Sequence, residues 1–363
     1  MDLTFRQNLA PEPLILGKDG NSIDLSRYNI GPKLASVVLQ AATTLKAYDK
    51  INLAHNDMSQ ESLSEVVDVL VSPHSADTKE LNLSGNLIFG KRGEVPEFSS
   101  KLVEYIASTT HLRSLVLAEC LIGNGEIEEL VKGLERNRSI VNLDLSRNSI
   151  DGRGADALGR MLESPIMIEK LNLAWNRIGR FGGIHGAERI CDAITVTNAL
   201  SWLDLSCNHL DDTCAKHLSS SLATDTTLKY LNIANNSIGS KGARQISLGL
   251  SLNKTLRFLV MDGNPVRLAG GIAIRRVLRD RDTDLPSLKL SLEHCLFDTS
   301  VRISFDPKDP NGTYTLDLSD PKEEKIALHL LNMASSLDDC DVYRPLTHVQ
   351  NKMPTARSVI CLR

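Results

Sequence analysis

Apolar residues recur along the chain in two alternating rhythms. A short run of period two, such as Leu143-Asp144-Leu145 or Leu203-Asp204-Leu205, is followed three residues on by a small polar anchor, Asn148 or Asn208. A longer stretch then places apolar residues three and four apart, as in Ala155, Leu158, Met161 and Leu162. Side chains alternate between faces along a strand, so the first rhythm predicts a short strand with one face inward. The second predicts a helix whose apolar stripe packs on that strand. The unit comes round ten times, with Tyr28, Asn56, Asn86, Cys120, Asn148, Asn176, Asn208, Asn236, Asn264 and Cys295 in the anchor position. The steps between them are 28, 30, 34, 28, 28, 32, 28, 28 and 31 residues. One strand and one helix cannot bury a core alone, whereas stacked neighbours can. The fold class is therefore an α/β solenoid, with parallel strands lining a concave face and helices on the convex one.

The anchor has a physical task. An Asn amide can bond backbone groups that a sharp turn would otherwise bury unpaired. A Cys thiol at positions 120 and 295 is a smaller and weaker substitute. At these residues the chain resembles the ribonuclease-inhibitor-like subfamily of leucine-rich repeat proteins, over roughly positions 21–295. The resemblance implies a horseshoe that works by binding other proteins, in settings that include ciliary and cytoskeletal assemblies. It also implies an alternative, a GTPase activator of the Ran-activator type. The slightly basic tail departs from that protein's acidic one, and Arg27 and Arg147 lie at the strand edge without a mark of catalysis.

The ends differ from the middle. Residues 1–20 lack the repeat and read as an N-terminal cap, beside a first unit with Tyr28 in the anchor slot. After the repeats of 21–295, the segment 296–340 reads as a C-terminal cap. Val301-Arg-Ile303-Ser-Phe305 and Tyr314-Thr-Leu316-Asp-Leu318 flank Asn311-Gly312 as a hairpin, and Asp320-Pro321-Lys-Glu323 opens a helix to about Ser336. Residues 341–363 read as a tail with little periodicity.

A formal charge of −4 supplies no basic field for nucleic acid or an anionic membrane, so neither is expected as a partner. No apolar run approaches the roughly 20 residues that cross a bilayer. The beginning of the chain lacks an export pattern, and seven cysteines, an odd number, do not form a disulfide framework. A cytoplasmic location follows as the expectation, with the Asn-x-Ser/Thr sequons at 82, 137, 235, 253 and 311 incidental.

No motif of catalysis is present: no Gly-x-Ser-x-Gly elbow, no Walker loop and no His-Glu-x-x-His. Gly312 invites alignment with a calcium loop, but Pro307 and Leu318 fall where carboxylates are needed. Cys207, His209, Cys214 and His217 lack the two tight pairs of a structural zinc site. Arg275, Arg276, Arg279 and Arg281 alternate with acidic residues on a convex helix and read as a solvated face. The expectation is a chain without enzyme activity, cofactor or metal: a scaffold that binds a protein partner within a larger complex.

Two surfaces are candidates for that partner. The residue preceding each first Leu points out of the concave face, giving the column Ser22, Lys50, Glu80, Ser114, Asn142, Lys170, Trp202, Tyr230, Phe258, Lys289. Three aromatics on successive rungs, in a chain with 2 Trp, 6 Tyr and 7 Phe, form the composition of a binding hot spot. They could equally stack on one another or be covered by the tail. The second surface is one edge, where the longer units insert residues 89–98 and 179–186 and carry Trp175 and Phe181. Surface loops of no function are the alternative there.

Overall fold

The computed structural model describes residues 21–30, 35–45, 48–58, 60–72, 77–86, 97–179, 186–280, 288–295, 314–317 and 359–362. Ten three-residue strands form one open parallel sheet in chain order: β1 Ser22–Asp24, β2 Lys50–Asn52, β3 Glu80–Asn82, β4 Ser114–Val116, β5 Asn142–Asp144, β6 Lys170–Asn172, β7 Trp202–Asp204, β8 Tyr230–Asn232, β9 Phe258–Val260 and β10 Lys289–Ser291. Helices α1 (Ala35–Leu45), α2 (Gln60–Val71), α3 (Glu97–Ser108), α4 (Asn124–Arg136), α5 (Gly152–Glu163), α6 (Gly186–Ala193), α7 (Asp212–Thr224), α8 (Ser240–Leu252) and α9 (Arg267–Asp280) alternate with them. The result is the expected horseshoe solenoid. Leucines of the strands meet Leu158, Met161 and Leu162 of α5, and their equivalents in the other helices, in one continuous buried core.

Two polar ladders hold the repeats in register. In the first, Asn176 is 4% exposed, and its Nδ2 donates to the carbonyls of Leu145 (3.0 Å), Leu173 (3.0 Å) and Ala174 (3.4 Å). Its Oδ1 accepts the Ile150 N–H of the preceding repeat at 3.1 Å. Asn56, Asn86, Asn148, Asn208, Asn236 and Asn264 repeat this arrangement. Cys120 substitutes through Sγ, donating to Leu83 O (3.5 Å) and Ala118 O (3.3 Å), and Cys295 through a single contact to Met261 O (3.4 Å). Burial pushes the Cys120 thiol up to about 12, so it keeps the proton it donates. Tyr28 is exposed, as a terminal rung allows.

The second ladder runs along the helix C-termini and was not read from the sequence. Asn137 caps α4, with Nδ2 donating to Ile106 O (2.7 Å) and Oδ1 accepting the N–H groups of Ser139 (2.8 Å) and Ile140 (2.7 Å). Asn253 does the same after α8, bonding Leu222 O, Thr255 N and Leu256 N. Asp225 after α7 accepts from Thr227 and Leu228. Asn137 and Asn253, two of the sequon asparagines, are buried and fully committed to this ladder.

The C-terminal segment differs from its reading. Tyr314–Asp317 is a strand, β11, but the partner described for it is β12, Val359–Leu362, in antiparallel register. Residues read as a featureless tail thus supply a strand. The first arm of the expected hairpin, its Asn-Gly turn, the helix to Ser336 and the cap at 1–20 lie outside the described residues.

Candidate functional site

Strand register converts the outward column into a surface. Lys170, Trp202, Tyr230, Phe258 and Lys289 are direct neighbours across β6 to β10. Parallel strands about 4.8 Å apart bring flat side chains into contact. The Trp202 and Tyr230 rings lie 5.0 Å apart at 7°, a stacked pair, and Tyr230 and Phe258 are 6.3 Å apart and tilted by 41°. Stacking therefore occurs, and it leaves surface: Trp202 and Tyr230 are half-buried and Phe258 is 42% exposed. Beneath the rings, Leu203, Leu231 and Leu259 belong to the core.

Charge frames the aromatic column. Lys289 places its ammonium 5.4 Å from the centre of the Phe258 ring, and exposed Lys170 occupies the rung beyond Trp202. Partial burial, then the carboxylates of Asp204 and Asp262, hold the Tyr230 phenol above its usual range. At neutral pH it therefore remains a hydrogen-bond donor. The face is apolar along its axis, with a cation at each end and acid along one side.

The edge has a different construction. The residue before every anchor adopts the left-handed conformation: Arg27, His55, Gly85, Glu119, Arg147, Trp175, Cys207, Asn235, Gly263 and His294 all have φ between 52° and 66°. Such a backbone costs about 1 kcal/mol for most side chains. Only Gly85, Gly263 and Asn235 are residue types suited to it. The side chains make a rim along the strand ends. Trp175 is 55% exposed, with the Arg147 guanidinium 5.0 Å from its ring centre, and Arg147 Nε lies 3.5 Å from Glu119 Oε1. Arg27 and Arg147 are thus placed on the edge, as read from the sequence. Phe181 lies outside the described residues, as do positions 89–96 and 180–185 of the two insertions.

Among the described residues no three metal-ligating side chains converge. Cys207 sits on the rim, whereas Cys214 is buried in α7 and His217 faces Asp192 at 3.1 Å. The described cysteines Cys120, Cys191, Cys207, Cys214 and Cys295 are free thiols. Arg275 and Arg276 lie exposed on α9, and Arg281 falls outside the described residues.

The family described as Leucine Rich repeat matches residues 136–159 and 224–247. Those segments are two helix-bearing units of the solenoid, at the phase that the anchors define. The chain carries leucine-rich repeats. It is similar to leucine-rich repeat-containing protein 45 of Gallus gallus, 30% identical over 126 residues, which is 35% of this chain and 18% of the relative. It is also similar to NACHT, LRR and PYD domains-containing protein 14 of Mus musculus, 35% identical over 112 residues, 31% of this chain and 11% of the relative. The matched repeats therefore span less than a fifth of these relatives. Among solved structures, the TLR13–ssRNA13 complex overlaps 71% of this chain and 34% of its own, with 18% identity and a TM-score of 0.44. No described helix of the chain is long and apolar enough to cross a membrane.

Proposed function

We propose that the chain is a non-enzymatic scaffold that docks a protein segment on the concave column of Trp202, Tyr230 and Phe258. It serves in the cytoplasm as a subunit of a larger assembly, in a cytoskeletal or ciliary setting. The observation that carries this reading is the aromatic column itself: three rings on successive rungs, in mutual contact and still open on one face. Clustered aromatic surface of this kind is where binding energy concentrates. Trp175, packed under Arg147 on the adjoining rim, extends the same surface toward the insertion that carries Phe181. The free thiols suit a reducing compartment.

The contrasting reading makes the rim arginines complete a bound GTPase. Single-turnover GTP hydrolysis across a panel of small GTPases distinguishes the two. The scaffold reading expects hydrolysis within about twofold of the intrinsic rate, whereas an activator supplying an arginine accelerates it by roughly 10³–10⁵. Acceleration on that scale, lost in Arg147→Ala or Arg27→Ala, contradicts the proposal.

A further inference from the structure

The rim is interrupted at one place. Gly85 supplies the left-handed turn of the third rung without a side chain, and a Cβ there would collide with the His55 imidazole, which leans into the space. The gap opens a depression of about 480 Å³, bounded by Arg27 and His55 on one side and by Glu119 and Arg147 on the other. It lies on the first five rungs, well away from the aromatic column on the seventh to ninth.

Donors line this notch. Elsewhere in the between-leucine column an Asn donates to the Asp of the preceding rung: Asn52 to Asp24 (3.1 Å), Asn172 to Asp144 (3.0 Å) and Asn232 to Asp204 (2.8 Å). Asn82 stands instead between Asn52 and Val116. Its Oδ1 is occupied by the Ser84 N–H (3.0 Å) and hydroxyl (2.7 Å), which leaves its Nδ2 without an acceptor among the described residues. Arg27 likewise has no ion-pair partner among them, despite its exposed guanidinium. The one acid among the described residues of the wall, Glu119, is already shared with Arg147. Asp24 is engaged by Ser26 and Asn52, and Lys50 is paired with Glu80 at 3.0 Å. An unpaired guanidinium, an unpaired amide donor and a second arginine line one depression, and no carboxylate among the described residues fills it.

We propose that the notch receives the carboxylate of an acidic side chain on a partner peptide, with Arg27 and the Asn82 amide as its principal donors. A guanidinium and an amide match the in-plane lone pairs of a carboxylate. Glu119 opposes the greater charge of a phosphoryl group. The site stands apart from the aromatic column, so a partner long enough to follow the sheet would engage both.

The test uses the full chain and a fluorescein-labelled, end-capped hexapeptide containing three Glu residues, followed by anisotropy at low salt. Binding is expected, and Arg27→Gln and Asn82→Val should each weaken it by roughly tenfold. Valine is accommodated in that column, as Val116 on the next rung shows, and circular dichroism verifies that both variants fold. Leu248→Ala, exposed on the convex helix α8 and outside both surfaces, should leave the affinity unchanged. Absence of binding to the wild-type chain overturns the proposal, as does equal binding by both variants or by a Gln-for-Glu peptide. Tighter binding of the matching phosphoserine peptide overturns the assignment to a carboxylate.

Discussion

Asn176→Leu lowers the stability of the folded chain by about 1–3 kcal/mol. The Leu side chain has the branched outline of the amide but more bulk and none of its bonds: the N–H of Ile150 stays buried without a partner, and the carbonyls of Leu145 and Leu173 keep only their bonds from Asn148 and Asn208. An orphaned buried donor costs about 1–3 kcal/mol, and relaxation of the turn recovers part of it. Asn176→Cys is milder, because Cys120 and Cys295 show that a thiol can reach the same carbonyls at 3.3–3.5 Å. Urea denaturation of the three proteins measures the order, with Asn most stable, Cys intermediate and Leu least. Coincident transitions for the parent and the Leu variant would remove the anchor from the account of stability.

Trp202→Ala leaves the fold intact and weakens partner binding by about 2 kcal/mol or more, roughly thirtyfold in Kd. The ring lies above the core, so its removal exposes part of Tyr230 without opening a cavity around Leu203. Loss of the stacked pair costs about 1 kcal/mol of stability at most. Binding loses the ring's area in the aromatic column, where a docked partner excludes solvent. Affinity capture with mass spectrometry compares the wild-type chain with the variant: a partner depleted by the substitution is the expected result. An unchanged set of captured proteins directs attention to the rim at Trp175.

How much of this was legible in the sequence follows from which residues encode each feature. The column Lys170, Trp202, Tyr230, Phe258, Lys289 could be aligned because Leu-x-Leu fixes the face of every side chain and the repeat fixes the rung. The sheet register reproduces that column residue for residue. The rim was less visible. Arg27, His55, Glu119, Arg147, Trp175 and Cys207 are not residue types that announce a left-handed backbone, and the gap at Gly85 acquires meaning only beside His55. The cap ladder carried a signal that went unused: Asn137, Asp225 and Asn253 each stand five residues before a strand and are followed by Ser or Thr two positions on. Pairing of β11 with β12 had no local cue, because more than 40 residues separate them and Asn311-Gly312 points to a nearer partner. Sequence patterns report local turns and faces well and distant pairings poorly.

A photoreactive benzoyl-phenylalanine placed at Tyr230 and, in a second protein, at the exposed convex residue Leu248 tests the concave docking surface most directly. On irradiation in cells, the account predicts a discrete cross-linked partner from position 230, competed away by Trp202→Ala, and none from position 248. A partner captured from the convex helix and absent from the aromatic column would contradict it.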